Sequence, residues 1–253
     1  MSTGKQISRR DFVQNSMIGF GMLPLASLSG SLGISGKPLK VVCIGAHPDD
    51  PETGCGGTLA KFSRAGHEIT IIYLTTGEAG IKGKSHDAAA AIRRKEGEAA
   101  CKILKAKPVF VGQIDGNTVV DNSWYDKIRQ LLVSEKPDIL FTHWPIDSHK
   151  DHLATSILTQ KAYLQMGAEF PLYFYEVCTG EQTQNFFPTD YIDITDFRDQ
   201  KRKAVFCHVS QGFVSNEYYQ LDHGLMEDYR GLTIRVKAAE AFVKLTTTLN
   251  PIH

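Results

Sequence analysis

The sequence lacks several features that would assign it to a functional class at once. Its 28 Lys and Arg residues are matched by 28 Asp and Glu residues, so no basic excess favours binding to nucleic acid or to an anionic membrane surface. The five cysteines form no CxxC pair, which indicates small core residues rather than a disulfide framework. No internal repeat or low-complexity tract divides the chain. Function must therefore be inferred from a local site.

The N-terminal 36 residues have a composition of their own. Arg9 and Arg10 precede a weakly apolar stretch, 17–34, which Pro24 and several glycines interrupt, so it is a poor membrane-spanning helix. The pattern resembles a twin-arginine export signal, with a disordered tail as the alternative. We therefore expect recognition by the twin-arginine export machinery and a periplasmic or extracellular location after cleavage. The mature domain, 37–253, is expected to have no stable membrane span.

From residue 39 onward, apolar strand-like runs alternate with helical patterns. We predict strands over 39–45, 69–74, 109–112, 138–142, 172–177 and 191–194, and helices over 53–66, 86–106, 121–135, 152–166, 196–208 and about 235–243. This alternation favours one α/β domain with a Rossmann-like, doubly wound, mostly parallel sheet and helices on both faces. Ligands of such sheets bind at the carboxyl ends of the strands, near a switch in strand order.

A first polar cluster, His47, Asp49 and Asp50, follows the first predicted strand. Pro48 restricts His47 to an extended conformation and so ends the strand there. His47 and Asp50 are three residues apart in a tight turn and can face one point, whereas Asp49 points differently. The structural alternative is that Asp50 caps a helix that begins with Pro51.

A second polar cluster, His149, Asp151 and His152, follows the fourth predicted strand in the same way. One of its histidines could complete a His-His-Asp set of metal ligands while the other faces a substrate, oriented by Asp151. Three such ligands are typical of catalytic zinc, which lowers the pKa of bound water to about 7, and they also suit ferrous iron. His143 and Trp144 are expected to shape the preceding loop. The sequence therefore predicts a metal-dependent hydrolase.

Together the clusters resemble the PIG-L/LmbE family of zinc-dependent de-N-acetylases, whose motifs are AHPDDxE and HxDH. Both motifs occur here in order, at 46–52 and 149–152, and the resemblance extends over about 40–211. It implies removal of an acetyl group from an N-acetylated amino sugar or glycoconjugate, such as N-acetylglucosamine attached to inositol, through a metal-activated water. The expected export favours envelope or imported glycans over an intracellular thiol precursor.

The resemblance also implies roles for the residues of the two motifs. His47, Asp50 and His152 match the family's metal ligands, and Asp49 matches its general base. His149 matches the histidine that protonates the leaving amine or stabilises the oxyanion. Asp151 joins this catalytic group as the residue expected to orient His149.

Three further residues match family positions near the substrate, and each has a structural alternative. Arg93 would contact the sugar or its aglycone, or else be a solvated surface residue. Asp115 would bind sugar hydroxyls, or else be an ordinary turn residue before glycine. His208 would lie near the pocket, or else interact with a helix dipole at a helix end.

Two other functions stay open at the level of sequence. One is a nucleotide-sugar transferase on a Rossmann-like sheet, although the first strand lacks a Gly-x-Gly-x-x-Gly turn. Gly54, Gly56 and Gly57 fall inside a helical pattern, which suggests close packing instead. The other function is an exported glycan-binding module without turnover.

Overall fold

Seven strands form one sheet in the computed structural model, which describes residues 37–246. They are β1 (Lys40–Gly45), β2 (Glu68–Thr75), β3 (Ala106–Gln113), β4 (Ile139–His143), β5 (Leu172–Tyr175), β6 (Asp190–Asp193) and β7 (Ala239–Lys244). Their order across the sheet is β3-β2-β1-β4-β5-β7-β6. Strands β1 to β5 are parallel, and β7 is antiparallel to both of its neighbours. The sheet is thus mostly parallel, as predicted.

Helices cover both faces of this sheet. They are α1 (Asp50–Arg64), α2 (His86–Leu104), α3 (Asn122–Glu135), α4 (Lys150–Gln165), α5 (Arg198–Val205), α6 (Asn216–Tyr219) and α7 (Leu225–Ile234), with 3₁₀ turns at Thr195–Phe197 and Val209–Gln211 and a π-helical turn at Gln220–Gly224. Val41 and Cys43 of β1 pack on the face covered by α1 and α2. Val42 and Ile44 pack on the opposite face, under α3 and α4. This alternation of buried residues confirms the doubly wound architecture.

Side-chain caps fix the starts of two helices. Asp121 precedes α3, and its carboxylate accepts the backbone N–H of Trp124 at 3.0 Å, as the predicted cap requires. Ser85 precedes α2, and its hydroxyl accepts the N–H of Ala88 at 3.4 Å. Each cap satisfies a backbone donor that has no partner inside its helix.

The centre of the sheet contains the switch in strand order. Strand β1 pairs with β2 on one side and with β4 on the other. The helices that follow β1 and β4 lie on opposite faces of the sheet, so the loops after these strands diverge and open a crevice. Both polar clusters of the sequence lie at this crevice.

Glycines on α1 allow the helix to approach the sheet closely. A Cβ atom at Gly57 would lie 2.8 Å from the side chain of Ile194, and one at Gly54 would overlap the ring of Tyr175. At Gly56 the nearest atom is Cγ of Lys201, at 3.1 Å. These contacts confirm the close packing that was predicted from the sequence.

The predicted helix over about 235–243 is wrong. Helix α7 ends at Ile234, Arg235 adopts a left-handed conformation, and the chain then enters β7. The segment is rich in residues with high helix propensity. However, pairing between β5 and β6 buries Ala239, Ala241 and Phe242, and this tertiary burial outweighs a weak local preference.

The predicted export signal, residues 1–36, lies outside the described residues. Over 37–246, no helix combines the length and the apolar character needed to cross a membrane. The cysteines are free, and Cys43, Cys55 and Cys101 are buried, as expected of small core residues.

Candidate active site

The turn after β1 brings His47 and Asp50 together. The backbone N–H of His47 donates to Asp50 Oδ2 at 2.7 Å, and His47 Nδ1 lies 3.2 Å from the same oxygen. Asp50 begins α1, and Pro51 follows it in the first turn, where proline is tolerated. The turn therefore holds the Asp50 carboxylate at the carboxyl edge of β1.

The first turn of α4 brings a second histidine to the same carboxylate. His152 Nε2 lies 3.3 Å from Asp50 Oδ1. The ring of His152 stacks on the ring of His143, the last residue of β4, with centroids 4.1 Å apart. The structure thus places two of the predicted metal ligands, His47 and His152, against the carboxylate of the third, Asp50. We call His47, Asp50 and His152 the cation site.

Each histidine of the cation site directs its other ring nitrogen toward a second carboxylate. His47 Nε2 lies 3.2 Å from both Asp151 Oδ2 and Asp115 Oδ1. His152 Nδ1 lies 3.3 Å from Asp147 Oδ2. Metal-binding histidines commonly donate their second N–H to such a carboxylate, which leaves the first nitrogen free for the metal. The surroundings therefore fit a divalent metal ion, which the three residues of the cation site would hold.

The charges around the cation site favour a cation. Burial alone would lower the pKa of His47 and His152, but nearby carboxylates outweigh it and raise the pKa of His152 to about 9 and that of His47 well above its usual range. Despite burial, the histidines hold the pKa of Asp50 well below its ordinary value. Carboxylates that stabilise positive charge on histidine also stabilise a metal ion.

Asp49 lies beside the cation site, next to Arg93. Arg93 Nη2 lies 3.3 Å from Asp49 Oδ2, and it also donates to the carbonyl oxygen of Pro48. Burial raises the pKa of the Asp49 carboxyl, although the charge of Arg93 opposes this. A carboxylate that lies outside the predicted ligand set and has a raised pKa is suited to act as a general base.

Arg93 is a buried residue, with 2% of its surface exposed, because the loop at Gly77 and Gly80 packs against its guanidinium. The alternative of a solvated surface residue is therefore wrong. Arg93 borders the pocket, but its donors face Asp49 and Pro48. Its contact with a sugar stays a prediction.

His149 also faces the pocket, with its ring centroid 4.8 Å from that of His47. The backbone N–H of Asp151 donates to His149 Nδ1 at 3.3 Å, so the neutral ring carries its proton on Nε2. Burial and the positive charge of His47 and His152 lower the pKa of His149. His149 therefore presents a neutral N–H donor beside the cation site.

The predicted hydrogen bond from Asp151 to the ring of His149 is made by the backbone N–H of Asp151, whereas its carboxylate faces other groups. Asp151 Oδ2 faces His47 and accepts the N–H of Gly116 at 2.7 Å, and Asp151 Oδ1 accepts the hydroxyl of Thr118 at 2.6 Å. The loop after β3 thus satisfies this carboxylate and draws it away from His149. The carboxylate of Asp151 thus positions His47, a predicted metal ligand, while its backbone N–H holds His149.

The two remaining predicted substrate residues have different locations. Asp115 borders the pocket, where it contacts His47 and accepts the N–H of Ala79 at 2.9 Å, so its contact with a sugar stays a prediction. His208 is fully buried, and its Nε2 lies 3.5 Å from Glu52 Oε1. The predicted substrate contact of His208 is therefore replaced by an internal contact with Glu52.

Sequence reasoning missed two residues of the site. His143 Nε2 lies 3.2 Å from Asp50 Oδ2 and accepts the N–H of Ala46 at 3.1 Å, so this residue does more than shape a loop. Asp147 is the carboxylate partner of His152. For His143 the sequence did contain a signal, since it is a histidine at the end of an otherwise apolar strand. Side chains at that position reach the edge of the sheet where ligands bind.

The site opens into a pocket with a volume of about 480 Å³ at the carboxyl edge of the sheet. The cation site, Asp49 and His149 border one part of it. Phe213 and Tyr218 add aromatic surface to the wall. The pocket is large enough for a small organic ligand. Such a ligand would contact residues that follow β1 and residues that follow β4.

Comparison with known proteins relates this chain to deacetylases. The family described as "PIG-L: GlcNAc-PI de-N-acetylase" matches residues 42–163. The chain is 30% identical over 133 residues to the uncharacterized deacetylase YaiS of Escherichia coli K12, covering 50% of this chain and 69% of that protein. It is 29% identical over 191 residues to the diacetylchitobiose deacetylase of Thermococcus kodakarensis, covering 68% of this chain and 70% of that enzyme.

A solved structure shares the fold over most of the chain. The crystal structure of the conserved protein TT1542 from Thermus thermophilus superposes with a TM-score of 0.71 at 31% sequence identity. The match covers 84% of this chain and 97% of that one. The similarity therefore extends well beyond the two motifs.

Proposed function

The chain belongs to the PIG-L family of de-N-acetylases, and we propose that it hydrolyses the N-acetyl group of an amino sugar or glycoconjugate with a divalent metal, zinc before ferrous iron. The likeness to the diacetylchitobiose deacetylase supports an N-acetylated saccharide as substrate. Products are acetate and a free amine.

One observation carries this proposal. Three histidine nitrogens, from His47, His143 and His152, face the Asp50 carboxylate. The neighbouring Asp49 carboxylate stays outside that cluster and is held by Arg93. A purely structural helix cap would need neither these histidines nor the second carboxylates behind them. The arrangement separates metal binding from proton transfer, and hydrolysis of an amide needs both.

The chain's own residues supply the proton transfers. When bound, the metal polarises the acetamide carbonyl and lowers the pKa of a nearby water molecule. Asp49 accepts a proton from the attacking water as the oxygen bonds to the acetyl carbon. The carbon–nitrogen bond then breaks, and the proton held by Asp49 passes to the departing amine. The raised pKa of Asp49 suits both transfers.

His149 stabilises the negative charge that develops on the acetyl oxygen. His149 borders the pocket, and its neutral ring carries the proton on Nε2 because Nδ1 accepts the N–H of Asp151. Since its pKa is lowered, the ring is neutral near neutral pH. This supports the oxyanion-stabilising role over the alternative of a protonated acid.

The test is acetate release from a panel of N-acetylated sugars, with metal content measured alongside. Asp49→Asn should lower kcat about 10²- to 10⁴-fold, the usual contribution of a general base, while the metal content is unchanged. His152→Ala should lose both metal and activity. Asparagine tolerates the positive φ of position 49, so a folding defect is not expected.

Two results would contradict the proposal. Full turnover by Asp49→Asn would remove Asp49 as the base. Sugar binding and tight metal binding by the wild type, without acetate release from any substrate, would favour the glycan-binding module.

Export of the protein is a further part of the proposal, and it rests on Arg9 and Arg10 and on the weakly apolar stretch that follows them, 17–34. Replacement of both arginines by lysine should retain the protein in the cytoplasm. Cell fractionation of the wild type and the double variant measures this.

A further inference from the structure

A second group of potential metal ligands lies on the wall of the same pocket. It consists of Cys178, Asp222 and His223, whose ligand atoms all lie within 4.8 Å of one another. None of them contributes to the cation site, to Asp49 or to His149. We call these three residues the thiol cluster.

His223 is the strongest indication that the thiol cluster binds a ligand. Its side chain is 7% exposed, and its Nε2 atom has no hydrogen-bond partner among the described residues. This nitrogen faces Asp222, with Oδ2 at 3.7 Å. Burial lowers the pKa of His223 to about 4, so the imidazole is neutral and its nitrogen lone pair is available. A buried polar atom without a partner is costly unless a ligand satisfies it.

The backbone at both ends of the cluster departs from regular structure. Asp222 and His223 lie in the π-helical turn between α6 and α7, and such turns are frequent at functional sites. Cys178 has φ of +44°, uncommon for a residue other than glycine, and its carbonyl oxygen accepts the N–H of Glu181 at 3.0 Å. The turn after β5 therefore holds Cys178 at the wall of the pocket.

The surrounding charge favours a cation at this wall. Five carboxylates border the pocket, from Asp49, Asp50, Asp115, Glu181 and Asp222. Among the lining residues, the single Arg or Lys is Arg93, which is bound to Asp49. Lys201 lies behind the cluster, but its ammonium is paired with Glu227 and Glu240. Within the described part of the chain, no free positive group thus opposes a metal ion at the thiol cluster.

We propose that Cys178, Asp222 and His223 form a second cation site, which binds a thiophilic divalent ion such as Zn²⁺ next to the substrate. A thiolate, an imidazole and a carboxylate are three ligands that zinc accepts in tetrahedral sites. The thiolate distinguishes this site from the cation site, which has only nitrogen and oxygen ligands. The site itself does not depend on the proposed deacetylation.

The experiment is titration of the metal-free full chain with Co²⁺ and, in parallel, with Zn²⁺. We expect two equivalents per chain, and a thiolate-to-cobalt charge-transfer band in the near ultraviolet that grows with one of them. Cys178→Ser should abolish the band and reduce the stoichiometry from two to one. His223→Gln should do the same, so a folding defect in one variant does not leave the site untested.

Two control variants make the result specific. Cys207→Ser removes another partly exposed cysteine, which lies outside the cluster, and should leave the band unchanged. His152→Ala should lose the other equivalent and keep the band, which separates this site from the catalytic proposal. A single equivalent without a thiolate band in the wild type, or a band that persists in Cys178→Ser, would overturn the proposal.

Discussion

Asp49 and Asp50 are adjacent in the chain and yet have separate surroundings. Asp50 enters α1 and faces three histidines, whereas Asp49 has φ of +127° and turns toward Arg93. Aspartate visits positive φ more readily than most residues, and strained backbone of this kind clusters at functional sites. The conformation lets consecutive carboxylates serve two purposes.

Arg93 should act through Asp49. We expect Arg93→Ala to lower kcat about 10- to 100-fold, the usual effect of losing a residue that orients the reacting group, with metal content unchanged. Steady-state kinetics and metal analysis measure both quantities. Arg94→Ala is the matched control, because Arg94 follows on the same helix and is exposed. Equal losses in the two variants would argue against a specific role for Arg93.

Asp147 should affect metal affinity instead. Its carboxylate orients His152, so Asp147→Asn should weaken metal binding about 10- to 100-fold. Competition with a chelator measures this affinity. Asp126→Asn, an exposed substitution on α3, should leave the affinity unchanged. If Asp147→Asn binds metal as the wild type does, the inferred role in positioning His152 is wrong.

The sequence was sufficient to identify the candidate metal ligands but not the residues that hold them in place. His47, Asp50 and His152 stand at strand ends, where the fold rules bring side chains together. The partner of Asp151 depends on how the loop after β3 folds back, and no local pattern predicts that. The burial of His208 has the same origin, since it depends on packing between distant elements.

At the scale of elements, buried charges connect the C-terminal part of the chain to α1. Lys201 of α5 lies 3.0 Å from Glu227 of α7 and 2.7 Å from Glu240 of β7. Glu240 in turn accepts the N–H groups of Gly57 and Thr58 at 2.9 and 2.7 Å. Removing one partner of such a buried set leaves an uncompensated charge and costs about 3–5 kcal/mol. The set therefore fixes α1, and with it Asp50.

Glu227 should make stability sensitive to acid. Burial would raise its pKa, but Lys201, Tyr219 and Arg198 outweigh burial and lower it. The folded chain therefore holds this proton less tightly than the unfolded chain, so the stabilisation is complete above the unfolded pKa, about 4.3, and is lost as the pH falls through the folded value.

Urea unfolding at about pH 7 and about pH 3.5 measures this dependence. Between these pH values, wild type should lose more free energy of unfolding than Glu227→Gln, which lacks the titrating group. Glu98→Gln, an exposed control on α2, should follow the wild type. Parallel losses in wild type and Glu227→Gln would exclude the proposed dependence.

Among the elements, β1 to β4 and the helices between them were predictable because the apolar pattern of their sequences matches the faces that the structure buries. The segment 235–243 was not, since its composition favours a helix while its partners in the sheet are β5 and β6. Helix α7 was missed for a related reason. Leu225 and Leu232 are exposed on it, so its apolar residues do not mark one buried face.

At the scale of the whole molecule, the net charge of zero hides a strongly acidic pocket. Its five carboxylates carry more negative charge than Arg93 and one bound divalent ion can neutralise together. We expect a neutral N-acetylated disaccharide to have a kcat/KM at least about tenfold higher than its phosphorylated analogue, because like charges brought together cost several kcal/mol.

Added salt should reduce this difference, since it screens charge. The measurement is kcat/KM for both substrates at low and high ionic strength. A preference for the phosphorylated analogue would contradict the interpretation of the pocket as selective against anions.

The position of β7 in the sheet also determines when the protein can finish folding. Among the described strands, β6 hydrogen-bonds only to β7, and Glu240 of β7 holds α1. During synthesis on a ribosome, the sheet therefore stays incomplete, and α1 lacks this anchor, until β7 has emerged. The first of the two motifs to be translated, His47 to Asp50, thus gains this support only after β7 has been made.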